Sequence, residues 1–421
     1  MSSLPASSTP SPPPPRSPLR PTRSFWRRVV VAQEFGLVVV IAVMMLALWA
    51  FSGTKPAFTA KTLPSNTVVE ERDGGAGGFS LTIDGVKTDY QAPNDEGVGF
   101  TLRRNGDEVI LREMFRASRF LSKDNIMSVL TTASFIAIMA VGMTGIIVMG
   151  GIDLSVGSIY ALAAVIGAMV LETFLGTMNA PMAGAPPSTA LAILITVGVC
   201  SAVGAACGLI NGVATVGLKV HPFIITLGGM AVYRGIAFVS TKGQTIGPFP
   251  ESYTKSFGKA EFWDITPVPM LIMVVVGLVG AFVLTRTVFG RQTFAIGGNE
   301  TAAKYAGIAV GKVKVWLFVI CGALAGLSAA VALGYFGAGG SDSGKGYELN
   351  VIAAAVVGGA SLSGGRGSAI GAVLGAIIIQ LIDNSILMLN VDQNYKEIVI
   401  GLAIVLAVVV DQTKQRLGSR R

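Results

Sequence analysis

The chain has 421 residues, 52% of them hydrophobic and only 13% charged, about half the usual charged share of a soluble globular protein. With a mean hydropathy of +0.65, these figures exclude a water-soluble fold and wholesale disorder. They also exclude a nucleic-acid binder, because the net charge of +8 sits largely at the tails and in short loops. What remains is an all-α polytopic membrane protein. A single histidine argues against a His-based metal site, and nothing in the composition calls for a cofactor. Cys200, Cys207 and Cys321 all lie in apolar runs and read as buried packing thiols.

In chain order, residues 1–34 form a Pro/Ser/Arg-rich tail with four consecutive prolines, Pro12 to Pro15. Such a segment cannot bury a core and is expected to be disordered. A first transmembrane helix is expected over 35–54, within which the apolar run extends from Phe35 to Phe51. Arg16, Arg20, Arg23, Arg27 and Arg28 precede it, and none lies within it, which places the N-terminus in the cytoplasm. Residues 55–124 are polar and, by this topology, extracytoplasmic. Phe79, Leu81 and Ile83 alternate with polar residues before Asp84-Gly85. Val98, Phe100 and Leu102 alternate before Asn105-Gly106 and Val109 to Leu111. Two β-hairpins are therefore expected in a small insertion, after a flexible Gly74–Gly78 lead-in.

A helical membrane core is expected over 125–411, followed by a basic cytoplasmic tail over 412–421. Hydropathy places spans near 127–149, 155–175, 189–216, 223–240, 268–285, 314–336, 349–361, 368–389 and 395–411, making ten with the first. An even count returns the C-terminus to the cytoplasm, in agreement with Lys414, Arg416, Arg420 and Arg421 and with the basic loop 286–314. The span at 349–361 is too short to cross unaided and reads as a half-span or re-entrant helix. Gly150 to Gly157 recurs as Gly358 to Gly365, and at a constant offset of 208 ten of nineteen positions are identical between 150 and 168. Both copies fall on the cytoplasmic side of the ten-span scheme, so the internal repeat is read as parallel, of the kind common in transporters.

An enzyme site is not expected. Gly339 to Lys345 has the spacing of a phosphate-binding loop, but Gly346 stands where a Ser or Thr should follow, and no strand precedes it. Polar residues at membrane depth are costly and mark function or a helix break. Asp153 and Ser155 sit after Gly150-Gly151, either lining a pathway or capping a turn. Asn211, Thr226, Arg234, Ser361 and Ser363 are further candidates for the translocation pathway or gating, with Asp383 a weaker one. Arg234 can bond the carbonyls of a broken helix or snorkel outward. Gly322, Gly326 and Ala330, four apart, offer one helix face to close packing within the chain or against a second copy. In the basic loop, Gly297-Gly298-Asn299-Glu300 leads into Ala302, Ala303, Lys304, Ala306 and Gly307. Asn299 is a good N-cap and Gly307 a natural C-terminal residue, so a two-turn helix is expected there, folded on its own bundle or offered to another subunit.

Ala140 to Thr144 with Gly151 to Ser158, Gly208 to Gly212, Pro222 to Gly228, Ala295 to Asn299, Gly346 to Leu349 and Val357 to Gly365 together closely resemble the ribose/xylose-type sugar ABC importer permeases. The resemblance covers about 115–411 in order; the Pro-rich tail and the 55–113 insertion depart from it. It implies a multi-pass protein of the bacterial cytoplasmic (inner) membrane with both termini cytoplasmic. It further implies a pair of permeases, a second copy or a paralogue, working with cytoplasmic ABC ATPases and an extracytoplasmic sugar-binding protein in a bed of membrane lipid. On that reading Gly297, Gly298, Asn299, Glu300, Ala302, Ala303 and Gly307 couple to the ATPase, and a monosaccharide such as ribose or xylose crosses between the permeases. The rival class is an ATP-independent secondary transporter or channel, for which only Asp153 and Asp383 offer membrane carboxylates.

Overall fold

The computed structural model describes residues 33–418 except 65–66, 73–77, 95–97, 106–107, 180–187 and 264. Nearly all of the N-terminal tail, most of the Gly74–Gly78 lead-in, Gly106 of the second expected turn and the last three residues lie outside the described set. The described chain is mostly helical, and eight of its helices are long and apolar enough to cross a membrane. These are α1 (Gln33–Phe51), α2 (Lys123–Val148), α3 (Val156–Leu175), α4 (Thr189–Leu218), α5 (Pro222–Thr241), α7 (Val268–Arg286), α10 (Val310–Phe336) and α12 (Ala369–Met388). Shorter helices are α6 (Glu251–Ser256), α8 (Val288–Gly298), α9 (Glu300–Tyr305) and α11 (Tyr347–Val357), and α13 (Tyr395–Gly418) closes the chain.

Local chemistry sets the helix starts. Ser188, Thr287, Asn299 and Ser368 accept backbone N–H bonds from the first turns of α4, α8, α9 and α12. His221 does the same for α5, which opens on Pro222, where a missing N–H costs nothing. Helices α2, α3, α10 and α12 form the centre, with α2 and α10 buried along most of their length. α1 is the outlier: it touches the bundle chiefly along α12, where Leu48 meets Leu381, Phe120 and Val129. The broad apolar surface left on α1, α4, α5 and α7 is what a lipid-facing perimeter requires.

The densest contact is between α4 and α10. A Cβ added at Gly204 would lie 2.0 Å from the Gly322 carbonyl oxygen, and one at Gly326 would lie 2.0 Å from that of Cys200. The glycine face at Gly322 and Gly326 is therefore used inside the chain, where small residues bring two backbones into contact.

The segment before α2 folds as two three-stranded antiparallel sheets. β2 (Val68–Arg72), β3 (Gly78–Ile83) and β4 (Val86–Gln91) form one; β1 (Thr54–Thr62), β6 (Glu108–Ser118) and β5 (Gly99–Asn105) the other, with β6 central. Asp84 and Gly85 both have positive φ, as a two-residue hairpin turn requires. Phe79, Leu81, Leu63 and Leu111 make a separate small core with Phe100 and Leu102 against it. β1 and β2 have no counterpart in the two expected hairpins. Pro56 masks β1 in the sequence, yet β1 is an edge strand, where a missing N–H breaks no ladder.

α11 has 11 residues, about 16 Å at 1.5 Å per residue, half of a hydrocarbon core of ~30 Å. The segment 286–314, read from sequence as a loop with one short helix, holds two. Gly290, Thr293 and Ile296 recur every third residue and bury one side of α8 against the bundle.

Candidate functional site

Two helix breaks organise the centre. α2 ends with the Gly150 N–H on the Ile147 carbonyl and the Gly151 N–H on the Ile146 carbonyl. α11 ends the same way, with the Gly359 N–H on Val356 and the Ala360 N–H on Ala355. Gly150 and Gly359 take positive φ, +87° and +100°, so both ends are Schellman caps. The caps correspond at an offset of 209, one more than the 208 that aligns the residues. The two breaks also meet: the Gly365 N–H bonds the Val148 carbonyl at 2.8 Å. Gly297 fills the corner, since a Cβ there would lie 1.7 Å from that same carbonyl and 2.5 Å from the Gly365 nitrogen.

Beyond the first break the chain turns inward, and four of the sequence candidates converge. Asp153 is fully buried; its Oδ1 accepts from the Ser155 N–H at 2.8 Å and from the Ser155 hydroxyl at 2.6 Å. The Ser155 oxygen in turn accepts from Asn211 Nδ2 at 2.8 Å, tying the break to α4. Thr226 on α5 accepts from the Leu154 N–H at 3.1 Å. Tyr233, which the sequence did not single out, donates to Asn211 Oδ1 at 2.9 Å and locks α5 to α4. Asp153 Oδ2 has no partner among the described residues. The cluster is thus a polar knot between α3, α4 and α5, held shut by small oriented groups.

Arg234 lies outside this knot. It donates through Nη1 to the carbonyls of Ser341 and Ser343, both at 2.8 Å, and through Nη2 to that of Gly344 at 3.4 Å. The irregular stretch 337–346 returns from the end of α10 to the start of α11 and exposes carbonyls that no helix satisfies. A guanidinium with five donors in a fixed fork suits them. Glu348 on the first turn of α11 adds a second buried carboxylate oxygen without a partner among the described residues, packed against Gly157. Ser361 and Ser363 sit at the second break rather than in the Asp153 knot. Ser361 is buried and Ser363 exposed. Asp383 is engaged with Lys396 at 2.8 Å and with Gln380 at 3.1 Å.

At the end of the bundle where α2 finishes, Asn299 caps α9 by accepting from the Ala302 N–H at 2.9 Å. Glu300 bonds Lys304 and Lys314, each at 2.8 Å. These two lysines, Lys304 first, hold its carboxyl below the usual carboxylate range. Of the residues expected to face another subunit, two turn inward. Gly297 is pressed on Val148 and Gly365, and Ala303 is 4% exposed in the chain's own core. Gly297 lies at the end of α8, where backbone meets backbone, and Ala303 is the buried side of α9, a helix too short to stand in water without packing. Ala302, Tyr305, Ala306 and Gly307 remain exposed, Tyr305 at 89%. Among the described residues no group of three or more His, Cys, Asp or Glu could hold a metal ion.

The ribose import permease protein of Escherichia coli (strain K12) is 36% identical over 301 residues, 70% of this chain and 88% of that protein. The ribose import permease protein of Bacillus subtilis (strain 168) is 38% identical over 296 residues, covering 70% and 87%. The galactose/methyl galactoside import permease protein of Escherichia coli (strain K12) is 35% identical over 309 residues, covering 72% and 90%. No solved structure matches the chain. Residues 125–408, from the start of α2 into α13, match the family described as branched-chain amino acid transport system / permease component, and the chain belongs to that family.

Proposed function

We propose that this chain is the membrane-spanning permease subunit of an ATP-driven importer for a monosaccharide, with ATP hydrolysed by a separate cytoplasmic chain. The observation that carries the reading is identity of 35–38% along the whole helical core to permeases named for ribose, allose and galactose import. An extracytoplasmic sugar-binding protein supplies the sugar, and two permeases, identical or paralogous, enclose the path. The chain crosses the bacterial inner membrane with both termini inside, and α13 and the half-length α11 complete a ten-segment scheme. The matched Schellman caps, side by side at one end, support a parallel duplication of the α2–α3 and α11–α12 units.

The α8–α9 end is read as cytoplasmic and as the coupling surface, offered by Asn299, Glu300, Ala302, Tyr305, Ala306 and Gly307. The sheets over 54–118 then lie outside, where they contact the binding protein or cover the path. Asp153, Ser155, Asn211, Thr226 and Arg234, with Ser361 and Ser363 at the second break, form the hinge of the gate. Cysteine labelling in intact cells tests the orientation and the docking together. Tyr305→Cys should resist an impermeant thiol reagent until the cell is lysed and should cross-link to the co-expressed ATPase, while Val86→Cys should react from outside. Labelling of both from outside would reverse the topology and sink the coupling assignment.

A further inference from the structure

Between the C-terminal end of α4, the start of α5, and α9 and α10 lies a cavity of about 540 Å³. Lys219, Lys304 and Lys314 line it, with Glu300 the single carboxylate in its wall. Glu300 is already shared between Lys304 and Lys314, so the cavity keeps a surplus of positive charge. The N-termini of α5 and α10 open onto it through Pro222 and Val310, adding their partial positive ends. Thr215 also lines the cavity; it is buried, and its hydroxyl has no hydrogen-bond partner among the described residues.

A second hollow, of about 340 Å³, lies on the same seam deeper in the bundle, lined by Ala205, Ala206, Leu209, Val315, Trp316 and Val319. Gly311 of the cavity and Val315 and Val319 of this groove are four residues apart on α10, as are Ala205 and Leu209 on α4. One helix face thus runs from a basic, polar mouth into an apolar trough. Leu218, Ile224 and Trp316 beside it are more than half exposed, so the seam opens toward lipid. A soluble anion would use the mouth and leave the trough empty. So would an acidic side chain of a partner protein.

We propose that cavity and groove together hold one anionic phospholipid, its phosphate headgroup among Lys219, Lys314 and Thr215 and an acyl chain along Ala206 and Trp316. Basic pockets between transmembrane helices are suited to such headgroups. The site is independent of which solute the chain carries.

The test is native mass spectrometry of the delipidated full chain in detergent, titrated separately with phosphatidylglycerol, phosphatidylcholine, dihexanoyl phosphatidylglycerol and inorganic phosphate. Long-chain phosphatidylglycerol should give a single retained adduct, stronger than phosphatidylcholine or the short-chain lipid. Lys219→Gln should weaken it about five-fold, the size expected for one lysine at a lipid headgroup. Thr215→Val should weaken it further, and Ala206→Trp, at an exposed position, should remove the preference for the long chain. Equal retention of phosphatidylcholine overturns the proposal. So does displacement by inorganic phosphate with Ala206→Trp silent, which marks a free-anion site. So does unchanged lipid retention with loss of ATPase capture in Lys219→Gln, which makes the cavity a protein contact.

Discussion

Gly204→Ala and Gly198→Ala make the same chemical change six residues apart on one helix, and the structure assigns them opposite outcomes. A Cβ at Gly198 meets nothing within 4 Å, whereas a Cβ at Gly204 lies 2.0 Å from the Gly322 carbonyl oxygen. Ordinary contact begins near 3.4 Å, so α4 and α10 would have to part by about 1.4 Å along their tightest seam. Backbone cannot yield as a flexible side chain does, and overpacking of this kind costs ~1–3 kcal/mol or more. Against that, Ala gains up to ~1 kcal/mol over Gly in helix propensity. Gly198→Ala should therefore be neutral to slightly stabilising, and Gly204→Ala destabilising by up to about 2 kcal/mol net, so that the two variants differ by about 1–3 kcal/mol. Denaturant unfolding in detergent micelles, followed by helical circular dichroism, measures both. Equal midpoints for the two variants would refute the close approach and the packing argument built on it.

Three further outcomes follow from the site. Asn211→Ala should cost ~1–3 kcal/mol for each buried group left unpaired, and adding Tyr233→Phe should cost less than its own single effect, a non-additivity that a double-mutant cycle reads directly. Arg234→Lys should keep the charge yet lose the three-carbonyl clamp, so solute uptake should fall while membrane insertion, checked by fractionation, stays normal. Glu300 has a folded-state carboxyl pKa lowered by Lys304 and then Lys314, so its contribution to stability is full above the unfolded value of ~4.3 and is lost as pH falls through the lowered one. Glu300→Gln should abolish that acid-side loss in a pH series of unfolding midpoints; an unchanged pH profile would contradict the pairing.

Much of this arrangement is written locally, and therefore legible. Long apolar runs mark α1 to α5, α7, α10 and α12, and Asn299 three residues before the Ala302 N–H specifies the cap of α9. The polar residues at membrane depth were readable because burial there is expensive, and Asp153, Ser155, Asn211 and Thr226 do come together. Their long-range partner Tyr233 was not, because an aromatic on an apolar helix looks like ordinary packing until Asn211 is placed opposite it. Ala303 was ambiguous for the converse reason. Small side chains suit an approaching partner and an approaching helix of the same chain equally, and only the fold decides between them. The one-residue shift between sequence offset and cap offset has a similar origin. Each break carries a glycine pair, and either glycine can take the positive φ of the cap: Gly150, the first, does so at one break and Gly359, the second, at the other.

The central claim, that the chain is the path of an ATP-driven importer, is tested most directly by reconstitution. The chain, its partner ATPase and its binding protein would be placed in proteoliposomes, and entry of labelled ribose, allose and galactose followed with ATP supplied on the α8–α9 side. The account predicts accumulation of at least one of these sugars that requires ATP and the binding protein, survives ionophores, and stops when the ATPase is inactivated. Uptake that proceeds without ATP and collapses with an ion gradient would contradict it.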